Sequence, residues 1–168
     1  VGTSFGSVEQ ARENLRRGIQ RWDCEAVRRT LDDDWQEKRD RIAVEGLSGE
    51  QRHIYYTALY HALLYPRSLS EYGRYYSAFD DQVHAGESYT DFATWDVFRA
   101  EFSLLTLVAP ERIGGMVQAL LQDYQQGSWM PKWPNPSYTN IMIGTHADSL
   151  VAEAIGKGFA GFDRVLAW

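Results

Sequence analysis

The segment from Ser128 to Ser149, SWMPKWPNPSYTNIMIGTHADS, restricts what this chain can fold into more than any other. It holds two of the six tryptophans and three of the five prolines. Pro131, Pro134 and Pro136 exclude a helix there, because each lacks an N–H and biases the residue before it towards extended geometry. Aromatic and polar residues alternate up to Gly144, after which a helical pattern resumes. The segment is a stiff, aromatic, non-helical connection between two helices. Two readings fit it: a connector whose tryptophans cover a core, or a loop whose ring faces and polar groups take a sugar.

Composition narrows the surroundings of that loop. A chain of 168 residues, 44% apolar and 24% charged, suits one globular domain with a sizeable core. The net charge of −6 argues against nucleic acid, which needs a basic face. No apolar run reaches the ~18 residues of a membrane span. The lone Cys24 excludes an internal disulfide, and no cysteine cluster offers a zinc site. The start, Val1-Gly2-Thr3-Ser4-Phe5, carries no secretory signal and reads as cut from something longer.

Periodicity and capping predict seven helices. Residues 1–6 read as a linker or the end of a strand. Ser7 and Gln10 form a capping box for a first helix from Val8 to about Ile19. Asp23 caps a second helix to about Arg41. Asp32, Asp33 and Asp34 point in three directions on it, which suits a solvated face better than calcium. Ser48 caps a third helix, Glu50 to Leu64, with an inner stripe of Ile54, Thr57/Ala58, His61/Ala62 and Tyr65; this helix is expected to be the best buried. Between Arg67 and Thr94, alternation around Arg74–Ala78 and Gln82–His84 permits one or two short hairpins, in a covering loop expected to line a cleft. Thr94 caps a fourth helix running from Trp95 to about Leu107. Pro110 opens a fifth helix to about Tyr124, and Gly127 is its stop. A sixth helix runs from about His146 to Gly156, with Asp148 complementing its N-terminus. A seventh covers Asp163 to Trp168. Helices joined by tight turns or decorated loops suggest a helical toroid. Seven cannot close such a ring, so its edge would need the rest of the domain or another chain.

The segments Tyr56–His61, Tyr65-Pro66-Arg67, Tyr89–Arg99, Leu104–Leu107, Pro110-Glu111-Arg112, Trp133-Pro134 and Asn140–Ala147 together resemble the family 92 glycoside hydrolases. The wording Gly144–Ser149 is more like fungal than bacterial members. The family's enzymes are calcium-dependent, exo-acting α-mannosidases that invert configuration. The resemblance implies a mainly α fold, a partial (α/α)6 toroid with long loops and one or two short hairpins. It implies that residues 1–6 leave an upstream β-sandwich and that 7–168 form an incomplete catalytic-domain segment, with the base aspartates beyond Trp168. It also implies a secreted protein whose partner is a mannose-containing oligosaccharide. Trp95 and Trp133 would line the sugar pocket, Asp96 would bond sugar hydroxyls, and Arg99 would brace Asp96. Lys132 and His146 join the substrate-binding set, and Asn140 falls on the calcium side.

One position departs from the family pattern. The acid is a glutamate two residues before the Asn of Asn-x-Met-Ile-Gly, and here that position is Tyr138. A phenol, with an ordinary pKa near ~10, is a poor proton donor to a sugar leaving group at neutral pH. Three explanations stay open: an inactive relative that binds sugar, a substrate whose leaving group needs no proton, such as a mannosyl phosphodiester, or an introduced substitution.

Overall fold

The computed structural model describes residues 1–168. The chain divides into two compact units, Val1–Leu63 and Leu64–Trp168. Helices take up about half of it, so the mainly α expectation holds.

The first unit contains α1 (Val8–Gly18), α2 (Cys24–Arg39) and α3 (Gly49–Ala62). Ser7, Asp23 and Ser48 cap them by accepting backbone N–H bonds in the first turn. At α1 the box is only half formed, because the Gln10 amide donates to Asn14 instead of returning to the cap. At α3 it is complete, with Gln51 accepting from the Ser48 N–H. The acids of α2 face solvent, and Asp32 pairs with Arg28 at 3.0 Å. The burial expected of α3 is overturned. Only Leu59 is buried, and Ile54 and His61 are exposed. The inward face is Tyr55/Tyr56, Leu59 and Ala62/Leu63, rotated from the predicted stripe. Apolar and aromatic residues lie all round this helix, so its period selects no face.

The second unit is organised around α6 (Pro110–Gly127). Ile113, Met116, Val117, Ala119, Leu120 and Leu121 are all buried on it. It packs against α5 (Glu101–Val108), α7 (Ala147–Gly156) and strand β4 (Tyr89–Thr90). Pro110 occupies its first turn as expected. Its end differs: the left-handed residue is Ser128 (φ 72°), whose N–H bonds the Tyr124 carbonyl at 2.7 Å, and Gly127 is still helical.

The hairpin is present as β2 (Arg74–Ser77) against β3 (Gln82–Ala85), with Tyr75 opposite His84. A second pairing joins β1 (Arg67–Ser68) to β4 and closes the base of the 67–94 segment. This segment is less a cover than part of the core: Tyr75, Tyr89 and Phe92 are buried. The predicted fourth helix is two, α4 (Thr94–Val97) and α5, separated at Ala100. Thr94 does not cap it; the hydroxyl donates instead to the Lys132 carbonyl. The chain ends in a short helix, α8 (Arg164–Ala167), capped by Asp163.

Backbone meets backbone where α6 passes the Ala160–Gly161 turn. A Cβ on Gly114 would stand 3.1 Å from the Ala160 carbonyl carbon and 3.2 Å from the Gly161 Cα. Neither is a side chain that can move aside. Gly114→Ala should therefore destabilise the protein by roughly 1–3 kcal/mol, read as a lower denaturation midpoint at unchanged m-value.

Candidate functional site

The loop after α6 folds as its prolines require. Pro134 and Tyr138 form an isolated antiparallel bridge, and the Asn135 N–H bonds the Ser137 carbonyl at 2.9 Å. The Thr139 hydroxyl donates to the Trp133 carbonyl at 2.6 Å, which tightens this turn. Asn140 (φ 53°) and Met142 (φ 61°) are both left-handed. Asn tolerates that conformation well, whereas Met rarely adopts it. The Lys132 ammonium donates to the Met142 carbonyl at 3.3 Å and ties the two arms of the loop.

A cleft of about 360 Å³ opens along this loop. Trp129, Trp133 and Tyr138 supply aromatic walls, and Lys132, Asn140 and Thr145 supply polar groups. Apolar faces with a few convergent polar atoms are the composition of a small-ligand site. A larger cleft, about 510 Å³, lies in the first unit between Trp35 and the α3 residues Arg52, Tyr56 and Leu59. Of the residues that the family resemblance marks for the site it gathers none, whereas the loop cleft gathers four, so the loop cleft is the better candidate.

Four of the residues singled out from the sequence, Lys132, Trp133, Tyr138 and Asn140, line the loop cleft together. The Trp133 indole N–H is buried without a partner. Trp95, Asp96, Arg99 and His146 are not among its lining residues. Three of these four form a second cluster through Phe98. The Arg99 guanidinium lies 5.3 Å over the Phe98 ring and 5.8 Å over the Trp95 ring. The Phe98 ring stacks on the His146 imidazole at 4.2 Å with an 8° tilt. Arg99 makes no ion pair with Asp96; its charge rests on aromatic faces instead. The Thr94 bond to Lys132 joins α4 to the loop and so relates the two clusters.

Tyr138 is held in place. Its hydroxyl donates to the Trp129 carbonyl and accepts the Trp129 N–H at 2.9 Å. Its ring meets Phe79 edge-on at 4.7 Å. Burial pushes its pKa above the ordinary phenol value, the bond to Trp129 opposes that, and the Asp123 charge adds to it. A group with a raised phenol pKa is a still weaker acid at neutral pH.

Several participants escaped the sequence reading. Trp129 and Thr145 line the cleft, and Phe98 carries the second cluster. The motif segments contain Phe98 and Thr145 but not Trp129, and no spacing in the sequence marks Trp129 and Thr145 as facing one cleft. Half-buried Glu101 has its carboxyl pKa raised, first by burial and then by the Asp96 charge. Asp123, buried on α6, stands well above the usual carboxyl range because of burial alone, and its Oδ2 has no partner.

No three His, Cys, Asp or Glu side chains of the chain stand together as a cation cage. Calcium prefers six to eight oxygen ligands, commonly several carboxylates. Asn140 with loop carbonyls does not amount to that set, so this chain by itself does not fit the ion.

The profile of the glycosyl hydrolase family 92 catalytic domain matches residues 10–168. Among solved structures, the family GH92 inverting mannosidase from Bacteroides thetaiotaomicron VPI-5482 is 35% identical, with a TM-score of 0.94. The match covers 98% of this chain and 23% of that one. A family GH92 α-mannosidase from Bacteroides thetaiotaomicron is 26% identical at a TM-score of 0.91, covering 98% of this chain and 23% of its own. The same enzyme in complex with mannoimidazole matches at 26% identity and a TM-score of 0.91, covering 98% and 22%. The chain thus spans about a quarter of the length of these structures. A comparison with curated proteins found no match.

The buried carboxyl of Asp123 has a pH signature. Its folded pKa is raised above the unfolded value, so the stability it contributes is present below pH ~4 and is lost as pH rises through the folded value. Asp123→Asn cannot ionise. Thermal melts should show that this variant flattens the fall in Tm between acid and neutral pH and converges with the parent below pH ~4.

Proposed function

Since this chain belongs to glycosyl hydrolase family 92, we propose that it is part of an inverting, calcium-dependent exo-α-mannosidase that removes α-linked mannose from glycans of the N-glycan or mannan type. The observation that carries this reading is the family match over residues 10–168, taken with an aromatic-walled cleft on the loop after α6. Mannosidase is also the activity named for the structures it resembles, one of which holds mannoimidazole. Residues 7–168 are a segment of the catalytic domain in this reading, and residues 1–6 lead in from a β-sandwich. The protein is secreted in this reading, as the family resemblance implies. No helix of the chain is long and apolar enough to cross a membrane.

Inversion needs one group to protonate the leaving oxygen and a carboxylate to activate water, with carboxyls about 6.5–9.5 Å apart. The cleft residues of this chain bind and orient. Trp133 offers an apolar wall to the sugar, and Lys132 and Asn140 offer polar contacts at its edge. Trp95, Asp96, Arg99 and His146 approach the same sugar from the α4 side. Asn140 contributes to calcium only alongside ligands from the remainder of the enzyme, and so does the base. Mannose-containing oligosaccharide and that remainder are the partners.

Tyr138 supports a second reading: an inactive relative that binds mannose, or one that acts on mannosyl phosphodiesters. Both tolerate the absence of a carboxylic acid at this position.

Two measurements in the intact enzyme test these readings. Tyr138→Glu should raise kcat on α-mannobiose by roughly 100-fold or more, and leave an aryl mannoside with a good leaving group much less affected. No gain on α-mannobiose would show that a missing acid does not limit turnover. Titration calorimetry of methyl α-mannoside should show weaker binding after chelation of calcium; identical affinity with and without the ion would remove calcium from the proposal.

A further inference from the structure

We infer that Tyr138 is a positioning residue whose hydroxyl clamps the Trp129 backbone and presents the Trp129 indole as a stacking platform for a pyranose ring. The inference rests on the sugar-binding reading of the loop cleft. It concerns two residues to which that reading assigns no such role.

The stretch Gly127-Ser128-Trp129 is fixed at each residue. A Cβ at Gly127 would stand 2.7 Å from Tyr138 Cε2 and 2.8 Å from Phe79 Cδ1, so only glycine lets both rings close on the helix end. Ser128 turns left-handed and bonds back to Tyr124. Trp129 is gripped at both its N–H and its carbonyl by one phenol oxygen. A side chain that bonds both polar groups of one residue fixes that residue's direction as a backbone pairing would. Yet Trp129 is 75% exposed, at the wall of the cleft. The fold therefore orders the backbone of a tryptophan that contributes little to the core.

An indole face beside polar groups matches a pyranose, which has an apolar C–H face and an equatorial belt of hydroxyls. Lys132, Asn140 and Thr145 are the polar groups at this cleft. The hydroxyl of Tyr138 is engaged with the Trp129 carbonyl, so its proton is directed at the backbone and away from a leaving group.

The test uses the intact enzyme with three disaccharide probes: α-mannobiose, maltose and cellobiose. Calorimetry gives Kd, and steady-state kinetics give kcat and KM on any probe that is hydrolysed. Trp129→Ala should weaken binding of the preferred probe about tenfold, and Trp129→Phe, which keeps a ring, about two- to threefold. Tyr138→Phe keeps the ring packing and removes both bonds to Trp129. It should raise Kd and KM roughly threefold, more than it lowers kcat, and leave the pH profile of kcat in place. Unchanged affinity in Trp129→Ala overturns the platform, as does failure of the parent to bind any of the three probes. A fall in kcat at constant KM in Tyr138→Phe, with loss of a limb of the pH profile, makes Tyr138 a proton donor and overturns the clamp. Binding without hydrolysis in the parent sinks the mannosidase reading alone, because Kd still decides the platform.

Discussion

Burial of α6 is the constraint from which the second unit is built. Residues on most of its faces are covered, by α5, by α7 and by β4, and at Gly114 the covering is bare backbone. A helix enclosed in this way cannot rotate or slide without opening voids, and close-packed interiors resist that. Its C-terminus is therefore a fixed point. The loop that follows starts from a defined position, turned by the left-handed Ser128 and narrowed by the contact at Gly127.

The two aromatic clusters follow from that fixed point. Prolines stiffen the loop, Lys132 ties its arms at Met142, and Tyr138 returns to the Trp129 backbone. The Thr94 hydroxyl reaches across to the Lys132 carbonyl and brings α4 alongside. Side-chain hydrogen bonds to backbone thus replace the sheet or helix ladder that a proline-rich loop cannot form. The same bonds leave Trp129, Trp133 and the polar groups of Asn140 and Thr145 facing one cleft.

Much of the local structure was legible in the sequence. The caps at Ser7, Asp23 and Ser48, the Pro110 start and the short β2–β3 hairpin all rest on interactions within a few residues. The errors share one cause. Thr94 looks like a cap until a carbonyl 38 residues away takes its hydroxyl. Gly127 looks like a helix stop until Tyr138 and Phe79 are seen to need its missing Cβ. The buried face of α3 differs from the stripe its spacing suggests because its apolar residues surround the helix. Likewise Arg99 was expected to brace Asp96 one turn away, but the rings of Phe98 and Trp95 hold it.

The sequence by itself determined where the capped helices α1, α2 and α3 and the proline-led α6 begin, where the chain cannot be helical, and, through the combined motifs, the family. These depend on short-range sterics, caps and the spelling of many residues at once. Only the tertiary structure decided which residues share a cleft. It divided the aromatic set into a loop group around Trp129 and Trp133 and an α4 group around Phe98 and His146. It also turned the Tyr138 hydroxyl towards backbone. The physical reason is that such contacts join residues far apart in the chain, and their geometry is set by the packing of α6, which no local pattern encodes.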